Sequence, residues 1–185
     1  PVSILPISAK TGEGLEDLRQ LLLRLCSKQK QDNSPQPGLL AIDRAFSLPG
    51  QGRVVTGTLR QGTLSLEMPL YLHSSKAKEI LDTKCRGLHR HGVPESVVRG
   101  PSRVALSVKS RKKVGLEKGD WISTTPMMLT DCLLVRITDL DDELAIHEEI
   151  EFHCGTLMRT VRPKGVGLVR GKFVFLELSE PSWLI

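Results

Sequence analysis

The 185-residue sequence predicts a mainly β protein: a short strand and one helix, then two consecutive antiparallel β domains. Three observations carry that reading. Helical periodicity is confined to the start of the chain, and β-rich runs punctuated by Gly, Pro and Asp follow one another from Leu39 onward. Two breaks, Gln29 to Gly38 and Thr124-Thr125-Pro126, divide the chain into blocks.

The first block opens with the apolar run Ile4-Leu5-Pro6-Ile7, read as a strand, and a polar turn follows. Leu15, Leu18, Leu22 and Leu25 then recur at helical spacing. Glu13, Glu16 and Asp17 crowd the first turn of that helix, and Arg24 and Lys28 lie near its end, the charge order that the helix dipole favours. Gln29 to Gly38 is polar and broken by Pro35 and Pro37, so it reads as a linker. The next strands are Leu40 to Phe46, Arg53 to Leu59, Leu70 to His73, Cys85 to His91, Arg103 to Val108 and Trp121 to Ser123. After the second break come Cys132 to Ile137, Ile150 to Cys154, Leu157 to Val161, Gly167 to Val169 and Phe173 to Leu178. Short strands at such spacing build an antiparallel barrel or sandwich. The domain boundaries are therefore 1–30, a linker over 31–37, 38–125 and 126–185.

Composition bounds the function. At 39% hydrophobic and 25% charged residues the sequence is that of a soluble globular protein, and no apolar run reaches the ~18 residues that span a bilayer. Pro1-Val2-Ser3-Ile4-Leu5 enters in mid-pattern, which suggests an excerpt of a longer protein. Cys26, Cys85, Cys132 and Cys154 form no Cys-x-x-Cys pair, which argues against a disulfide framework and for a reducing, cytoplasmic setting. The net charge of +5 is unevenly spread. Residues 38–125 hold fifteen Lys and Arg against seven Asp and Glu, whereas residues 126–185 hold six against ten. A basic block of this kind is either a polyanion-binding surface or a solvated face.

The stretch from Gly50 to Gly62 is rich in glycine but fits neither the P-loop nor the dinucleotide fingerprint. Val54-Val55-Thr56 follows its first glycines, and a β-branched run disfavours the helix whose N-terminus would hold a phosphate. Pro49-Gly50 and Gln61-Gly62 therefore read as turns, and Gly57 as a point where the strand bends or another backbone comes close. Cys85, His89 and His91 are near neighbours, with the two histidines on one strand face, but no second ligand pair accompanies them. His147-Glu148 lacks the second His of a metalloprotease helix, and no Gly-x-Ser-x-Gly elbow is present. Arg44 stands out. A period of two places it on the same face as Leu40, Ile42 and Phe46, and a cation on an apolar face is costly unless an anion meets it. Its partner is either a protein carboxylate at the domain rim or an anionic ligand.

Ser8-Ala9-Lys10, leading through Thr11-Gly12-Glu13-Gly14 into a helix, resembles the last guanine-contacting motif of a GTPase domain. Strand, motif, amphipathic helix, Pro-rich linker and basic β domain follow in the order of translational GTPases. Leu40 to Phe46 followed by Gly50 to Thr58 resembles the second domain of selenocysteine-specific elongation factors. Arg86 to His89, Arg103 to Leu106, Gly119 to Ile122 and His153 to Thr156 fall in the matching order.

This resemblance implies two consecutive antiparallel β-barrels preceded by a strand-helix remnant of an α/β GTPase domain. The parent would bind GTP and Mg²⁺, hydrolyse GTP, and deliver selenocysteyl-tRNA to the ribosome for UGA recoding. The residues at hand carry no P-loop, switch region or Asn-Lys-x-Asp, so tight nucleotide binding or hydrolysis by this chain alone is not expected. The resemblance implies guanine contact by Ser8, Ala9 and Lys10, and aminoacyl recognition by Arg44 and Arg103. An mRNA hairpin would be met only by a C-terminal region that the sequence lacks, and no membrane partner is implied. Gly100-Pro101-Ser102-Arg103 runs one residue longer than the family's Gly-Gln-Arg, leaving the register of Arg103 open, and Arg53 and Leu66-Glu67-Met68-Pro69 also depart from the pattern. The rival readings are another translational GTPase, such as elongation factor Tu or an initiation factor gamma subunit, and a free-standing β-barrel RNA-binding module.

Overall fold

Residues 4–28, 35–50, 52–109, 115–136, 149–163 and 173–183 are described by a computed structural model. Its internal contacts divide the chain into two units, Pro1–Pro35 and Gln36–Ile185.

In the first unit, helix α1 spans Leu15–Lys28, with Glu16 and Asp17 in its first turn, as the charge order predicts. The turn before it is closed by Ser8, whose carbonyl accepts from the Gly12 N–H at 2.9 Å and whose hydroxyl accepts from the Thr11 N–H at 3.2 Å. Gly14 has a positive φ of 72°, and a Cβ there would lie 2.3 Å from the Pro6 carbonyl oxygen. The strand expected over Ile4 to Ile7 is not formed. A strand exists only when paired, and this unit offers no second strand among its described residues.

Among the described residues of the second unit nine strands come first: β1 (Leu39–Leu48), β2 (Gly52–Gln61), β3 (Thr63–Ser65), β4 (Pro69–Ser74), β5 (Glu79–Arg90), β6 (Val93–Pro94), β7 (Val97–Arg99), β8 (Ser102–Val108) and β9 (Trp121–Ser123). The order β4-β9-β1-β2-β8-β5, with β5 pairing back to β4, is a closed six-stranded antiparallel barrel. Closure removes the free edges that an open sheet of this size would expose. β6 extends β5, and β3 pairs with β7. Leu40, Ile42, Val55, Leu59, Leu72 and Leu106 are buried in the barrel core.

The β1–β2 hairpin sets the geometry of everything near it. Gly50 and Gly52 both have a φ of 76°, so the turn read from Pro49-Gly50 is present. Ile42 pairs with Gly57, but Arg44 pairs with Thr56, so Asp43 is an extra residue bulged out of the ladder. At Gly57 the strands come so close that a Cβ would lie 2.0 Å from the Ala41 carbonyl oxygen. The close approach expected at this glycine is therefore real. The bulge reverses the faces beyond it: Ala45 packs against the core, while Arg44 and Phe46 turn outward.

Four further strands, β10 (Leu129–Arg136), β11 (Ile150–Cys154), β12 (Leu157–Pro163) and β13 (Phe173–Trp183), form an antiparallel sheet in the order β10-β13-β12-β11. Among the described residues this sheet is open; the strand expected at Gly167 to Val169 lies outside them. Val161, Leu176 and Leu178 are its buried core.

The sheet is fastened to the barrel through β1, β4 and β9. Leu39 and Ala41, on the opposite face of β1 from Leu40 and Ile42, pack with Trp121 and Trp183. The Trp183 indole N–H donates to the Ser74 carbonyl at 3.2 Å, and its ring meets His73 at 5.0 Å between centroids. The Thr156 hydroxyl donates to the Ile42 carbonyl at 2.5 Å and accepts from the Gly119 N–H at 3.2 Å. His73 Nε2 lies 2.7 Å from the Ser123 hydroxyl, which spends its own proton on the Thr125 carbonyl. His73 must then donate from Nε2, the tautomer that leaves its buried Nδ1 unpartnered.

Two outcomes follow from this packing. Gly57→Ala is expected to lower the unfolding free energy by about 2 to 3 kcal/mol, measured by urea titration, because the two backbones must separate. The second concerns acid. Burial pushes the His73 imidazole down from 6.5 to about 4. The unfolded chain takes up a proton that the fold refuses, so this contribution is complete above pH ~6.5 and is lost as pH falls toward 4. Urea midpoints are expected to drop across that window by the equivalent of about 3 kcal/mol, and His73→Gln to flatten the slope.

Candidate nucleic-acid interface

The bulge decides which side chains this barrel offers to a partner. Asp43 and Arg44 leave the core face together, and the β2–β8 register sets Thr58 opposite Arg103 on the neighbouring strand. Arg103 points outward because Val104 and Leu106 take the inward positions of β8. Asp43 joins the elements. Its Oδ1 accepts from the Thr56 hydroxyl at 2.8 Å, and its Oδ2 meets the Arg103 guanidinium at 2.5 Å. Asp43 is largely covered, with a side-chain exposure of 20% against 57% for Arg103.

Arg44 differs from the expectation. It lies on the exposed outer face and not with Leu40 and Ile42, because the extra residue at Asp43 shifts the alternation by one. Among the described residues it makes no ion pair. The carboxylate expected at the barrel rim is present, but it holds Arg103. Asp43 is thus the residue that strand periodicity passed over. Its signal was an acid next to Arg44, across the hairpin from Gly57.

Other sequence positions are placed as follows. Ala9 and Lys10 are exposed in the turn that Ser8 closes. Arg53 is half-buried on β2, opposite Ser47 and Val108. The glycine-rich stretch forms ladder, with Val54 and Val55 buried. Cys85 is buried, and burial, helped by the charge of Glu67, pushes its thiol up to about 11, so it is not a reactive thiolate. His89 is on β5, but His91 lies in the following turn with a φ of 52°, so the two do not share a strand face. Among the described residues no three His, Cys, Asp or Glu side chains come together as metal ligands. His147 and Glu148 lie outside those residues.

No family model matches the chain. In fold, 99% of the chain matches 44% of translation elongation factor SelB from Methanococcus maripaludis in its apo form, with a TM-score of 0.77 and 20% identity. It also matches 30% of a bacterial selenocysteine-specific elongation factor over its whole length, with a TM-score of 0.78 and 20% identity. The chain therefore shares its fold with part of each of these two elongation factors. In sequence, the chain is 31% identical over 157 residues to the selenocysteine-specific elongation factor of Desulfomicrobium baculatum, covering 83% of the chain and 24% of that relative. It is 32% identical over 184 residues to that of Escherichia coli K12, covering 96% of the chain and 28% of the relative. The chain belongs to the selenocysteine-specific elongation factor family, and it spans about a quarter of the length of these curated relatives.

Asp43→Asn is expected to loosen Arg103 and cost at most about 1 kcal/mol of stability by urea titration, because the pair is partly solvated.

Proposed function

We propose that this chain supplies the tRNA-binding β domains of a selenocysteine-specific elongation factor, a GTP-dependent factor that carries selenocysteyl-tRNA to the ribosome for UGA recoding. Residues 38–125 act as the second domain, holding the acceptor end and its aminoacyl group. Residues 126–185 belong to the third domain, 31–37 form a linker, and 1–30 are the tail of a GTPase domain. The observation that carries the reading is the exposed, ion-pair-free Arg44 beside the Asp43–Arg103 pair.

The chemistry follows from charge. A selenol is more acidic than a thiol, so selenocysteine is an anion at neutral pH, whereas the serine esterified to the same tRNA as a precursor is not. Arg103 already has a carboxylate, so Arg44 is the cation available to an incoming anion. In the free protein Arg44 is hydrated and costs nothing. When an aminoacyl end covers it, that water is lost; a selenolate replaces the lost interaction and a hydroxyl does not. Selectivity is thus a penalty on the wrong ligand as much as a gain for the right one. Asp43 adds repulsion that keeps a bound anion on the Arg44 side and holds Arg103 in place.

The exposed leucines of α1 support the assignment of residues 1–30. Leu22, Leu23 and Leu25 are each more than half exposed, as is Ile7, an apolar surface suited to a larger α/β domain. The Ser8 turn, with Ala9 exposed at its tip, suits the edge of a guanine ring; GTP phosphates and Mg²⁺ would be held by residues of the parent beyond this chain. The setting is the cytoplasm, where translation takes place, and no described helix is long and apolar enough to cross a membrane.

In the full-length factor, Arg44→Ala is expected to weaken selenocysteyl-tRNA about 10- to 100-fold, the loss of one charge-assisted hydrogen bond. Seryl-tRNA is expected to change little, and equilibrium binding of the two charged tRNAs checks the difference. Equal losses would leave Arg44 a general tRNA contact or a structural residue.

A further inference from the structure

A second polar face lies on β4, β5 and the end of β8. Side chains alternate across a strand. Pro69 and Tyr71 of β4 and Asp82, Lys84 and Arg86 of β5 accordingly share the outer face of the barrel, while Leu70, Leu81 and Cys85 point inward. The register sets Pro69 opposite Lys84 and Tyr71 opposite Asp82. Pairing of Cys85 with Val108 brings Lys109 alongside, and the Thr83 hydroxyl donates to its carbonyl at 2.8 Å. These residues line a groove of about 550 Å³, within the size range of ligand sites.

The groove is separate from the Arg44 cluster. Lys109 lies six residues beyond Arg103, just past the end of β8, about 20 Å at strand rise. Arg86 is committed to Glu67 at 3.0 Å. Lys84 and Lys109 are exposed and, among the described residues, make no ion pair. In sequence, Lys109 begins the basic run Lys109-Ser110-Arg111-Lys112-Lys113. Among the described residues no glycine-rich loop or helix N-terminus lines the groove, the elements that cradle a compact terminal phosphate. It combines instead two cations on mobile stems, a half-exposed phenol ring and one carboxylate. Mobile ammonium groups suit successive phosphates of a strand, and an aromatic ring suits a base. The carboxylate would oppose a polyanion unless a donor meets it, and a ribose 2′-hydroxyl is such a donor.

We infer that this groove is a second RNA-binding surface, taking a single-stranded RNA segment with Lys84 and Lys109 on phosphates, Tyr71 under a base and Asp82 accepting from a 2′-hydroxyl. It goes beyond aminoacyl recognition and uses none of the same residues.

The test uses the whole chain and a fluorescent oligouridylate of about ten nucleotides, with its deoxy counterpart, by anisotropy across salt concentrations. RNA is expected to bind several-fold more tightly than DNA. Lys84→Gln with Lys109→Gln is expected to weaken RNA binding about tenfold and to reduce the salt slope by about 0.7 for each cation removed. Asp82→Ala is expected to erase the preference for RNA by raising affinity for DNA. The control, Lys76→Gln with Lys78→Gln, removes two exposed cations from the β4–β5 turn of the same barrel and is expected to change nothing. Circular dichroism establishes that each variant is folded. Equal weakening by the control pair, equal binding of RNA and DNA by the unmodified chain, or loss of oligonucleotide binding on Arg44→Ala would each overturn the inference. Because the oligonucleotide carries no aminoacyl group, failure here leaves the Arg44 reading standing, and failure there leaves this one.

Discussion

The close approach of two backbones at Gly57 is the constraint on which the rest of this barrel depends. With no Cβ on β2 at that point, the Ala41 carbonyl can come in, and the mismatch is absorbed by one extra residue, Asp43, on β1. Before the bulge the side chains of β1 alternate strictly, so Leu40 and Ile42 serve the barrel while Leu39 and Ala41 serve the junction with the second sheet. Everything after it changes sides. A chain that kept strict alternation would drive Arg44 toward the interior, where its charge would need a buried partner. The bulge instead leaves Arg44 exposed and sets the largely covered Asp43 against the Arg103 guanidinium and the Thr56 hydroxyl.

The second sheet exploits the same strand. Trp183 and Thr156 bond to backbone carbonyls of the barrel, at Ser74 and Ile42, and Gly155 admits Trp121 so closely that a Cβ would lie 2.5 Å from its ring. Bonds to backbone carbonyls do not depend on which side chains the partner strand carries, so the junction is fixed by shape and polarity of the main chain. The buried Asp120 has the same role locally: it accepts from the N–H groups of Ser75 at 2.7 Å and Glu117 at 2.9 Å. Burial raises its carboxyl above the ordinary range, opposed by those two bonds. Polar groups here stabilise because each finds a main-chain partner. His73 Nδ1 and the Trp121 indole N–H, which find none, mark where the junction is least satisfied.

Charge is organised by location more than by sum. The described cations of residues 38–125 have different degrees of freedom. Arg103 and Arg86 are held by Asp43 and Glu67, while Arg44, Lys84 and Lys109 make no ion pair among the described residues. An arginine already bonded to a carboxylate contributes orientation and little net field. Exposed cations that hold no carboxylate keep their full field, so location matters more than net charge.

The mainly β class, helix α1, the turn at Gly50 and the near contact at Gly57 were all legible in the sequence, because each rests on local chemistry: apolar period, β-branching, glycine conformation and charge order along a helix. Family membership was legible for the same reason, since the stretch from Leu40 to Thr58 encodes a hairpin. The local signal failed where a feature belongs to pairing between strands. Ile4 to Ile7 has strand composition but no partner, and Arg44 has strand periodicity but sits beyond a bulge. Neither an absent ladder nor an extra residue in one can be read from one strand alone. The Asp43–Arg103 pair joins residues sixty positions apart, and the groove at Tyr71, Lys84 and Lys109 draws on β4, β5 and the residue that follows β8. Sequence determined the class, most of the elements and the charges they carry. Tertiary structure alone decided which charges face one another, because register and barrel closure set that choice.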